Sequence, residues 1–86
     1  MTAQTFIIRG ACGLHARPAL RFVDLAKKFE SKIIIEKENK RIDAKSVVSV
    51  LSAGISDGTT IHLSAEGPDE EEAMCQISEF LSIPLD

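Results

Sequence analysis

Residues 60–72 read TIHLSAEGPDEEE, which is in succession a strand, a break and a helix start. Ile61, Leu63 and Ala65 fall on one side of the run, and Thr60, His62, Ser64 and Glu66 on the other. A period of two with apolar residues on a single side belongs to a sheet with one covered and one wet face. Gly67 and Pro68 interrupt it. Asp69 with Glu72 has the spacing of a capping box, and Glu70, Glu71 and Glu72 suit the positive end of a helix dipole. Ala73, Ile77, Phe80 and Leu81 then supply that helix's buried stripe, with Cys75 expected near its core side.

The remainder of the chain fits the same architecture. Thr5–Arg9 is β-branched and aromatic and reads as a first strand, ended by the glycine-bracketed loop Gly10–Gly13. From Ala16 to Phe29 the period becomes helical. Ala19, Phe22, Val23, Ala26 and Phe29 share one face, and Arg21, Asp24 and Lys28 the opposite one. Lys32–Lys37 and Arg41–Ala44 read as strands joined by a turn at Glu38–Asn39–Lys40. Ser46 caps a short helix from Val47 to about Ser52, with Gly54 as its stop. The order βαββαβα, with one-sided strands, predicts an α+β two-layer open-faced sandwich. Its four-stranded antiparallel sheet is covered on one face by helices.

Residues 1–86 form one expected domain, of a size that buries one modest core. Hydrophobic residues make up 44% and charged residues 27%, the balance of a globular protein and not of a disordered tail. A net charge of −3 argues against nonspecific nucleic-acid binding. Lys and Arg nevertheless dominate from Arg9 to Lys45 while the last third is acidic, so one face can meet acidic partners. Met1–Gly10 has no secretory pattern, no apolar run is long enough to span a bilayer, and the two cysteines lack a disulfide framework. A cytoplasmic protein without stable membrane association is expected.

The chemistry concentrates in GLHARPA, Gly13–Ala19. A histidine can act as a nitrogen nucleophile at neutral pH. At a helix start, His15 faces unpaired backbone N–H groups, here those of Ala16 and Arg17, and the positive end of the dipole. The Arg17 guanidinium suits phosphate geometry, and Gly13 permits close backbone approach. The simpler alternative is a histidine that merely caps the helix beside a solvated arginine. The Cys12-x-x-His15 spacing suggests a metal set with His62 and Cys75. None is expected, because His62 falls on the polar face of a strand and Cys75 near the core side of a helix, and nothing pairs them into a compact ligand set. No metal and no cofactor are expected.

The heptapeptide in its strand–loop–helix setting, together with KSVVSVLSAGI (Lys45–Ile55) and IHLSAEG (Ile61–Gly67), resembles the HPr family. These are phosphocarriers of the bacterial phosphoenolpyruvate-dependent sugar phosphotransferase system. The resemblance covers essentially the whole chain and implies a carrier without turnover of its own. His15 would accept a phosphoryl group on Nδ1 from enzyme I and pass it to IIA domains of sugar permeases, with Arg17 balancing charge. Ser46 would be a regulatory phosphosite, with an HPr kinase/phosphorylase and a transcriptional regulator as further partners. Leu20, Lys27, Lys45, Val47, Val48 and Leu51 would supply the docking patch of a monomer. Cys12, Asp24 and Ser49 depart from the polar or positive residues common there. A regulatory phosphorelay or binding module without sugar transport is the alternative, although relatives with a purely regulatory role lack the histidine.

Overall fold

The structure, a computed structural model, describes residues 1–9 and 16–82. Seven elements follow one another. They are β1 (Thr2–Ile7), α1 (Ala16–Lys27), β2 (Lys32–Lys37), β3 (Lys40–Asp43), α2 (Val47–Ser52), β4 (Thr60–Glu66) and α3 (Glu70–Ser82). The strands form one antiparallel sheet in the order β1-β4-β2-β3, which is the expected open-faced sandwich. β4 lies between β1 and β2, so Ala65 has Thr2 on one side and Ile33 on the other.

The alternation in the strands sets the layers. Ile33, Ile35, Ile42, Ile61, Leu63 and Ala65 are buried, while Lys32, Glu36, Arg41, His62 and Glu66 are exposed on the wet face. Helix α1 buries Ala19, Phe22, Val23 and Ala26, as its period requires. Helix α3 buries Ala73, Ile77 and Leu81 together with Met74, and its Phe80 ring lies 6.1 Å from that of Phe22.

Several boundaries differ from the sequence expectation. β1 begins at Thr2 and ends at Ile7 instead of running from Thr5 to Arg9, because its register is set by distant Thr60–Ala65. Buried Ile8 still donates its N–H to the Thr59 carbonyl. α1 ends at Lys27, two residues early, because Lys28 and Phe29 donate to the carbonyls three residues back and tighten the last turn. β3 is shifted by one residue: Lys37 pairs with Lys40, and Glu38 takes the positive φ of 57° that a two-residue turn needs.

The capping box at Asp69 is also corrected. Its carboxylate accepts from the Glu30 and Ser31 N–H groups, each at 2.9 Å, and from the Ser31 hydroxyl. The reach back along the chain comes from Glu70, whose carboxylate accepts from the Gly67 N–H at 3.1 Å. Its other oxygen pairs with the Met1 ammonium at 2.9 Å. Cys75, expected near the core side of α3, is exposed.

Candidate functional site

His15, Cys12 and Gly13 lie outside the described residues. Ala16 is the first residue of α1, so the N–H groups of Ala16 and Arg17 belong to the first turn, where no intrahelical acceptor exists. Pro18, also in that turn, is buried and forgoes no intrahelical bond. Arg17 is exposed in that turn, and its guanidinium carries the fork of donors that suits an anion.

The second centre of interest is α2. Ser46 is its N-cap, with φ −114° and ψ 113°, and its hydroxyl accepts from the Ser49 N–H at 3.3 Å. The six-residue helix buries Val50 and half-buries Val47. Val48, 74% exposed, and Leu51, 43% exposed, point outward. Leu20 is 50% exposed on α1, which packs against α2. Lys27 is exposed as expected, and Asp24 shares its helix's polar side. Lys45 behaves differently from a free surface cation. It is half-buried, and its ammonium donates to the Phe29 carbonyl at 2.6 Å.

His62 and Cys75 are not brought into a metal set. The His62 Nδ1 lies 2.9 Å from the Thr5 hydroxyl on the wet face of the sheet, and Cys75 lies on α3. Among the described residues no group of three potential ligands could hold a metal ion. An open cleft of about 580 Å³ between β1 and α3 is lined by Gln4, Glu71, Met74 and Cys75. Another, of about 410 Å³, runs between β3 and α2. Neither includes Arg17 or Leu20.

Two features escaped the sequence reading. The Asp69 clasp joins residues 38 and 39 positions apart, for which no local pattern exists. The Asp69 carboxyl is held below the usual carboxylate range, chiefly by the Ser31 hydroxyl and then by the Glu30 N–H. The other feature is Lys37, whose ammonium donates to the Ala53 carbonyl at 2.9 Å and the Gly54 carbonyl at 3.0 Å. Its signal was its parity: position 37 continues the inward-facing set of Ile33 and Ile35.

The four-stranded antiparallel sheet with three helices is the fold of a small phosphocarrier domain. The chain belongs to the PTS-HPr family, whose model, described as the PTS HPr component phosphorylation site, matches residues 2–82. It is 48% identical over 69 residues to the HPr-like protein Crh of Halalkalibacterium halodurans, covering 80% of this chain and 82% of that one. It superimposes on the crystal structure of HPr-C-His from Thermoanaerobacter tengcongensis with a TM-score of 0.93 and 46% identity, covering 95% of this chain and 92% of that one. The crystal structure of Crh from Bacillus subtilis matches with a TM-score of 0.76 and 37% identity over 100% of both chains. That relative is a dimer with a swapped domain, which runs against the monomer expected from sequence. No helix among the described residues is long and apolar enough to cross a membrane.

Proposed function

We propose that the chain is a one-domain phosphocarrier that accepts a phosphoryl group on His15 from phosphorylated enzyme I and donates it to IIA domains of sugar permeases. The observation that carries this reading is the placement of Arg17, exposed in the first turn of a helix that begins one residue after His15. The histidine supplies the nucleophilic nitrogen. The N–H groups of Ala16 and Arg17, with the guanidinium, supply donors for the phosphoryl oxygens. Transfer is in line: the N–P bond to the donor histidine breaks as the bond to His15 Nδ1 forms. Such a step asks mainly for positioning and electrostatics. The carrier works in the cytoplasm, and its exposed Leu20, Lys27, Val48 and Leu51, flanked by half-buried Val47 and Lys45, serve as the docking face.

The resemblance to Crh favours a second role on the same scaffold, regulation through Ser46. A phosphate there adds about −1.5 to −2 charges beside the docking face. Acidic partners would then be repelled while the fold is left intact. An HPr kinase/phosphorylase and a transcriptional regulator are the partners this role implies.

Labelling tests the primary reading. Phosphoenolpyruvate with enzyme I should place an acid-labile phosphoryl group on the wild type and none on His15→Ala. Arg17→Ala should fold normally and transfer more slowly. Equal labelling of wild type and His15→Ala would end the assignment, and absence of labelling in both would favour the regulatory reading.

A further inference from the structure

Helix α2 is about 9 Å long at the usual rise per residue, far shorter than a helix that persists by itself in water. Its place in the fold therefore depends on what holds its ends. Inside, Val50 is fully buried, with Val47 and Ala53 packed partly against the core. At the N-terminal end, Ser46 caps the first turn, and Lys45 next to it is tied to the Phe29 carbonyl beyond α1.

The C-terminal end presents a different problem, because the last carbonyls of any helix have no intrahelical donor. Here Ala53 is the C-cap, and Gly54 follows with φ +66°, a left-handed conformation that glycine adopts without strain. The carbonyls of Ala53 and Gly54 converge on one ammonium, that of Lys37. A cation at this place also meets the negative end of the helix dipole. Lys37 is the last residue of β2, at a position of inward parity where the strand otherwise carries buried isoleucine, and it is half-buried. Its stem thus crosses the covered face of the sheet, and its charge ends on backbone.

We infer that Lys37 is a positioning residue for the docking helix: by pinning the end of α2 to β2 it fixes how Val48 and Leu51 are presented to partners. The inference rests on the proposed use of that face for docking. It assigns Lys37 no contact with the phosphoryl group.

The test uses the whole chain carrying Lys37→Met, which keeps the stem and removes the donors, and Lys37→Arg, which keeps charge and donors. Val48→Ser serves as the check on docking. Amide hydrogen exchange across residues 50–55 should accelerate about tenfold or more in Lys37→Met, the factor expected for loss of a charge-assisted hydrogen bond. Lys37→Arg should restore slow exchange. With phosphorylated enzyme I as donor, Lys37→Met should raise the KM for this chain several-fold at unchanged kcat, and Lys37→Arg should reverse that rise. Unchanged exchange in Lys37→Met overturns the tether. Faster exchange with an unchanged KM, while Val48→Ser raises KM, overturns its role in docking. If Val48→Ser leaves KM unchanged, the docking reading fails, and exchange alone still decides whether Lys37 holds the helix.

Discussion

Replacing Gly67 with alanine should damage this fold more than any other single methyl group added at a described glycine. Gly67 has φ +154°, a conformation rarely adopted by residues with a side chain. A Cβ built there would lie 2.6 Å from the Ser31 Cα, 2.7 Å from its hydroxyl oxygen and 2.9 Å from its Cβ. The nearest of these is backbone, and Ser31 is fully buried and held by Asp69, so the neighbour cannot simply swing aside. Backbone strain of this kind costs about 1–3 kcal/mol. Overpacking against a fixed neighbour adds about 1–3 kcal/mol more. A total of roughly 4 kcal/mol corresponds to a fall in Tm of about 16–32 °C for a domain this small. Gly58 provides the control: its φ of +87° is also positive, but a Cβ there meets nothing within 4 Å. Gly58→Ala should therefore show only the conformational cost, about 1–2 kcal/mol. Urea unfolding of both variants at neutral pH measures the difference directly. If Gly67→Ala is no less stable than Gly58→Ala, the close approach of the two connections is not what fixes glycine at position 67.

Two further outcomes follow from hydrogen bonds already described. The Asp69 carboxyl has a lowered pKa in the folded protein, so its contribution is complete above about pH 5 and is lost as pH falls through the ordinary carboxylate value and then the lower folded one. Denaturation midpoints measured from pH 7 to pH 2 should decline in that window, and Asp69→Asn should lower the neutral plateau and flatten the decline. Ser46→Ala removes the cap of α2 and should cost about 0.5–2 kcal/mol in urea unfolding, whereas Ser46→Asp should keep that stability. The aspartate should still slow phosphorylation of His15 by enzyme I; an unchanged rate would count against regulation through charge at this position.

Sequence legibility followed the range of the forces involved. β2, α2 and β4 were read to the residue, because each is bounded by local signals: the parity of Ile33 and Ile35, the cap at Ser46 with Gly54 beyond, and Gly67–Pro68. β1 was misplaced because Thr2–Gln4 has little strand character of its own and is extended by pairing with Leu63–Ala65. The end of α1 was overextended because Phe29 fits the helical period and is buried, yet sits past the tightened last turn. Of the candidate site, the first turn of α1 and the cap of α2 were legible from residue type and spacing. Which of Val47, Val48 and Leu51 turn outward was not, since a six-residue helix is too short for its period to decide. The engagement of Lys45 with Phe29 was not legible either, since a lysine ordinarily keeps its charged head in water and its partner here lies 16 residues away.

The central position of β4 has a consequence for how the chain folds during synthesis. β2 and β3 are joined by a short turn and can pair as soon as they are made. β1 and β2, by contrast, have no hydrogen bonds to each other in the sheet, and both await residues 60–66. Until that segment leaves the ribosome, the first strand has no partner and the inner edge of β2 is open. Closure then brings together residues as far apart as Thr2 and Ala65, a long-range step that slows folding relative to local pairing. A nascent chain stalled before Thr60 would expose Ile33 and Ile35 beside unpaired backbone, the kind of edge that recruits strands from other molecules.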